Sequence, residues 1–121
     1  MGKINSRSKG CRGEREFAAT LRSYGYEARR GQQFSGSPDS PDVVSNLPFH
    51  FEVKRTEKFS VYKAMAQAVR DSEPGKAPIV AHKQNGQEWL VVLRVDDFMR
   101  MVKALKFDPR ARVVRRIRKV S

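Results

Sequence analysis

A chain of 121 residues, 39% hydrophobic and 31% charged, can build one modest core, and a single domain over 1–121 is the expectation. Its formal net charge of +12 points to a polyanionic partner, nucleic acid before membrane, with a small basic ribosome-associated protein as the plain alternative. No segment nears the roughly 20 apolar residues of a membrane span. No apolar run follows the basic N-terminus as in a secretory leader. The single Cys11 excludes an internal disulfide and a cysteine-based zinc cluster, so reducing, cytoplasmic conditions fit.

Residues 1–8 are polar and basic and read as a mobile N-terminal arm. Ser8 caps a helix from about Lys9 to Tyr24, with Gly25 as its stop. Phe17, Ala18, Leu21 and Tyr24 supply its apolar face, and Glu14, one turn before Phe17 and Ala18, extends that face, whereas Glu16 points elsewhere. A carboxylate on a buried stripe is costly unless a cation receives it, which favours a site. The alternative is a first-turn acid complementing the helix dipole.

Tyr26 to Arg30 alternates as a strand, and Gly31 to Pro41 is a Gly/Ser/Pro-rich loop. In that loop Ser35 and Ser37 can hydrogen-bond phosphate and Gly36 allows close backbone approach, unless the loop is only a connector. Strands follow at about 42–45 and 49–55, joined by Asn46-Leu47-Pro48. Taken as a three-residue hairpin loop, this joint sets Ser45 against Phe49 and Asp42 across from Glu52. Strand alternation puts Glu52 and Lys54 on one face, Phe51 and Val53 on the other. Two carboxylates and an ammonium then converge, and hard oxygen donors of that kind suit Mg2+ or Mn2+. The plain alternative is an edge strand with a surface Glu-Lys pair. His50 and His82, in no His-x-x-x-His or His-Asn-His arrangement, read as incidental.

Ser60 caps a second helix to about Glu73, ended by Pro74-Gly75; Val61, Ala64, Met65, Ala68 and Val69 form its apolar face. Beside it Lys63, Gln67 and Arg70 make a stripe that can follow a phosphate backbone or stay solvated. Pro78 to Lys83, Asn85-Gly86 and Glu88 to Arg94 read as a hairpin with a type I′ turn, its run Trp89 to Leu93 apolar enough for burial on both faces. Asp96 caps a third helix with Phe98, Met99, Val102 and Leu105 inward, and Pro109 closes it. An Arg-rich tail at 106–121 ends the chain, basic at Arg110, Arg112, Arg115, Arg116, Arg118 and Lys119 and interleaved with Val113, Val114 and Ile117 as in a last strand or a dimer arm. The order α-β-β-β-α-β-β-α predicts an α/β fold, a mixed central sheet flanked by helices.

With these residues assembled, the chain resembles the archaeal and phage Holliday junction resolvases of the PD-(D/E)xK nuclease superfamily. The resemblance rests on Lys9-Gly10 with Glu14-Arg15-Glu16-Phe17, on Tyr24-Gly25-Tyr26 with Arg29-Arg30, on Ser40-Pro41-Asp42-Val43-Val44, and on Phe51-Glu52-Val53-Lys54. A helix containing Gln67 and a Pro78-Ile79-Val80-Ala81 strand follow; the likeness runs from about Lys9 to Leu93. It implies a restriction-endonuclease-like fold and a homodimeric, Mg2+-dependent endonuclease acting on four-way junctions, with Mn2+ as a possible substitute, in a prokaryotic or phage-infected cell. The implied catalytic set is Glu14, Asp42, Glu52 and Lys54, with Asp42, Glu52, the Val53 carbonyl and Glu14 holding metal. The resemblance also puts Arg15 and Arg29 or Arg30 near the phosphate; Lys9 and, from the loop and the helix stripe above, Ser35, Ser37, Lys63, Gln67 and Arg70 complete the candidate DNA contacts. The short gap from Asp42 to Glu52 demands a tight hairpin, and nothing beyond Leu93 matches. Another nuclease of the superfamily, nicking or restriction-like and acting on flaps or duplexes, shares all of these residues. A non-catalytic basic nucleic-acid binder is the remaining alternative.

Overall fold

A computed structural model describes residues 6–31, 41–106 and 109–110. Its elements run α1 (Ser6–Ser23), β1 (Ala28–Arg30), β2 (Val43–Ser45), β3 (Phe49–Arg55), α2 (Val61–Asp71), β4 (Ala77–Lys83), β5 (Leu90–Val92) and α3 (Val95–Ala104). The five strands form one sheet in chain order. All neighbours are antiparallel except β3 and β4, which run parallel because α2 carries the chain across between them. The expected mixed α/β sheet is therefore present.

Alternation along β3 divides its side chains between two layers. Phe51 and Val53 join Phe17, Ala18, Ala28, Val43, Ile79 and Ala81 in a core under α1. The Phe17 ring meets Phe51 edge-on at 5.2 Å and Trp89 at 5.1 Å. His50, Glu52 and Lys54 turn to the opposite face, where α2 lays Ala64 and Ala68 on Val80. Small residues on α2 let that helix lie close to the sheet. The approach of α1 is closer still. A Cβ on Gly13 would stand 2.5 Å from the Cβ of Arg55, so the glycine is what allows helix and strand to cross there.

Several local expectations are corrected. α1 starts at Ser6, so Ser8 lies inside the helix and residues 6–8 do not belong to an arm. Tyr24 is exposed and drops out of the apolar face. Ser60 does precede α2, but its side chain makes no capping bond, and the helix ends at Asp71. In the turn 84–87 only Gly86 has positive φ, whereas type I′ needs it at both central residues. Glu57 decides that turn, because its Oε2 accepts from the Asn85 N–H (2.8 Å) and its carbonyl from Gln84 Nε2 (3.1 Å).

The largest departure concerns β5 and α3. Leu90 and Val91 are 54% and 53% exposed, so β5 is a half-covered edge rather than a strand buried on both faces. α3 begins at Val95 and shows Phe98, Met99 and Leu105 to solvent, while Asp97 is turned in and buried. Asp97 accepts from Arg94 Nε at 2.9 Å and stands 3.5 Å from Arg100 Nη1. A carboxylate satisfied by two arginines takes the inward position, and the apolar stripe is left facing out. The tail beyond Arg110 lies outside the described residues.

Candidate active site

The site forms where β2 begins beside the middle of β3. Val43 pairs with Phe51, the register that a three-residue loop at 46–48 requires, and Ser45 Oγ braces the loop by accepting the Leu47 N–H at 3.1 Å. One residue before the pair, Asp42 has left the ladder. Its N–H donates to the Phe51 carbonyl (2.9 Å) and its Oδ2 accepts the Val53 N–H (2.8 Å). N–H and C=O of one strand residue face the same edge, so the Val53 carbonyl also faces the Asp42 side.

Glu52 is 2% exposed. Burial, before any other cause, pushes the Asp42 carboxyl up from 3.8 to about 7; the charges of Glu52 and Glu14 push the same way, and the Val53 N–H opposes them. A side-chain hydrogen bond with Glu52 adds a last, smaller push upward on Asp42. Asp42 thus feels the charge of both other acids, Glu52 more strongly than Glu14. Glu14 is no first-turn acid, since the first turn of α1 holds none. It is buried on the third turn, and its Oε1 receives Arg30 Nε at 3.1 Å. The dipole alternative for Glu14 fails, and Arg30 is the cation that offsets its burial. That carboxylate in turn raises the Arg30 guanidinium above its ordinary value, chiefly by their hydrogen bond.

Lys54 Nζ donates to Gln67 Oε1 at 3.2 Å, so α2 supplies the group that holds the ammonium over the sheet. Gln67 accordingly faces the site. Arg70 does not; it is mostly exposed and lies 3.4 Å from Asp71. Lys63 lines a cleft with Lys54 and Gln67, and Arg15 and Arg29 are exposed. The Lys9 side chain, Ser35 and Ser37 fall outside what is described. Sequence reasoning set His50 aside, yet it is 2% exposed with Nε2 3.0 Å from Glu52 Oε1. The alternation that aligned Glu52 with Lys54 equally placed His50 on that face; only a search confined to His-x-x-x-His spacing passed it over. His82, by contrast, stacks on Phe59 at 3.9 Å and meets the Thr56 carbonyl at 3.0 Å, bracing the turn before α2.

Among the described residues no three His, Cys, Asp or Glu side chains are drawn up as a metal cage. Glu14 is engaged by Arg30 and Glu52 by His50, which leaves Asp42, Glu52 and a main-chain carbonyl as the oxygen donors at one point. The donor set fits a hard divalent cation: it is all oxygen, largely buried, and its carboxylates repel one another until positive charge is added.

No helix among the described residues is long and apolar enough to cross a membrane. No curated protein matches the chain significantly. Among solved structures, the chain is similar to Hjc, a Holliday junction resolvase of the archaeal hyperthermophile Archaeoglobus fulgidus. The likeness has 25% identity and a TM-score of 0.53, and covers 68% of this chain and 74% of that one. The model of the phage PDDEXK endonucleases matches residues 5–120, nearly the whole sequence and all of the site just described, and the chain belongs to that family.

Proposed function

We propose that the chain hydrolyses phosphodiester bonds in branched DNA, four-way junctions foremost, as a Mg2+-dependent homodimer for which Mn2+ can substitute. The observation that carries the reading is Asp42 set against Glu52 on the sheet face that also presents Lys54, with the charge of Glu14 reaching Asp42 from α1. Carboxylates beside a phosphate oppose binding unless a cation intervenes, so a purely binding protein has no use for them. The named substrate of the Archaeoglobus protein and the net charge of +12 supply the preference for branched DNA.

Asp42, Glu52 and the Val53 carbonyl would hold the ion, with Glu14 at its margin; bound there, it supplies a lowered pKa for water and charge neutralisation at the phosphoryl group. Lys54, steadied by Gln67, orients the attacking water or offsets charge growing on the phosphoryl oxygens. Arg15, Arg29, Arg30 and Lys63 would receive flanking backbone, with Lys9, Ser35, Ser37 and Arg70 as further contacts. Two opposed strands need two sites related by a dyad, and the exposed Leu90, Val91, Phe98, Met99 and Leu105 offer an apolar surface that a second copy would cover.

The test incubates a labelled four-way junction, a flap and a linear duplex with the protein in Mg2+ and in EDTA. Junction cleavage in Mg2+ alone, lost in Asp42→Asn while binding persists, is expected. Equal cutting of all three substrates would assign a different nuclease, and binding without any cutting would leave a basic nucleic-acid binder.

A further inference from the structure

We infer that His50 is a positioning residue for Glu52, holding its carboxylate toward Asp42 and so setting the affinity of that pair for a divalent cation. The two residues are i and i+2 on β3, hence on one face. Their side chains are 2% exposed each and meet at 3.0 Å through Nε2 and Oε1. In its Nε2–H tautomer the ring donates to Glu52 Oε1, a carboxylate oxygen that accepts. Elsewhere this layer is built from Ala64, Ala68 and Val80, and packing alone would be served there by an apolar residue. An imidazole in that layer instead supplies a hydrogen bond that a buried carboxylate needs in order not to swing away. With Oε1 bonded to His50, the other carboxylate oxygen is the one left to turn toward Asp42. Groups that bond a ligand from behind restrict its rotamers and its orientation, and their loss typically lowers metal affinity about 10–100-fold.

The inference rests on the divalent-ion reading of the site, and the experiment separates the two. Mn2+ is titrated calorimetrically into the full chain without DNA, for wild type, Asp42→Asn, Glu52→Gln, His50→Gln and His50→Asn. Gln can place an amide N–H where Nε2 stands, whereas the shorter Asn cannot reach Glu52. His50→Gln is therefore expected to bind Mn2+ within about threefold of wild type, and His50→Asn about 10–100-fold more weakly. Junction affinity in EDTA should be alike in both. Should the two His50 variants bind Mn2+ equally well, the positioning role is overturned while the ion reading stands. Should wild type, Asp42→Asn and Glu52→Gln all bind alike, the ion reading itself has failed. His50→Leu adds a polarity control: if it folds and binds like wild type, the imidazole does nothing for Glu52. If it does not fold, the Gln and Asn pair still decides the matter.

Discussion

Asp42 should make the metal-free protein less stable as pH rises, opposite to the behaviour of a salt-bridged aspartate. An unfolded Asp42 ionises near 3.8 and the folded one near 7, so between these values the native state holds one proton more than the unfolded chain. Stability then falls as pH climbs from about 4 through about 7 and levels off above it, because the slope follows protons bound in the unfolded state minus those in the native state. At about 1.4 kcal/mol per decade, the separation between 3.8 and about 7 sets a ceiling on the order of 4 kcal/mol. Asp42→Asn cannot ionise yet keeps an acceptor for the Val53 N–H. Urea unfolding of both proteins in EDTA, at steps from pH 5 to pH 9, isolates the group by difference. The variant is expected to gain on wild type by about 2.7 kcal/mol across that range, the remainder of the ceiling falling below pH 5. Added Mg2+ should restore wild type more at pH 8 than at pH 5. Stability curves that stay parallel from pH 5 to pH 9 would show that Asp42 ionises freely and that the acids do not share a pocket.

Four further outcomes are expected. Gly13→Ala sets a helix gain of about 1 kcal/mol against overlap with Arg55 costing about 1–3 kcal/mol, so urea midpoints should fall; a stabilised variant would mean α1 can slide off β3. Gln67→Leu frees Lys54 Nζ and should slow cleavage roughly tenfold, for the loss of about 1.5 kcal/mol, with junction affinity in EDTA unmoved; equal slowing and loss of binding would place Gln67 on the DNA instead. Junction affinity should drop steeply with salt, each neutralised phosphate of a duplex arm contributing about 0.9 to the logarithmic slope, and a flat response would detach the +12 charge from DNA. Phe98→Asp with Met99→Asp should leave the fold intact and give a monomer by sedimentation; a dimer that survives both changes uses another surface.

The sheet and the acids were legible because two short-range rules happened to agree. A three-residue loop and strand alternation together require Val43 to meet Phe51, which brings Asp42 to Glu52 and turns Glu52 and Lys54 to one face. Helical spacing likewise carried Glu14 to the buried side of α1. What remained hidden depends on partners distant in sequence. No local signal in Asn85-Gly86 reveals that Glu57 will grip the turn. Periodicity identifies the apolar stripe of α3 but cannot say which side meets water, and Asp97 with its arginines reverses the expected answer. The face of His50 was legible from strand alternation, but its role was not, since only the bond to Glu52 tells it apart from a histidine with no role.

The long parallel ladder from Phe49↔Ala77 to Arg55↔Lys83 gives the site one fixed wall and one movable one. Glu52 and Lys54 ride on a strand paired along its whole length, whereas Asp42 stands past the end of the β2 pairing, its N–H and Oδ2 bonded to β3 and its carbonyl to the Gly31 N–H. Breathing of the pocket therefore shifts Asp42 first. Deuterium uptake should be faster at Asp42 than along β3 and β4, which makes the strand's fringe the place where the pocket first opens.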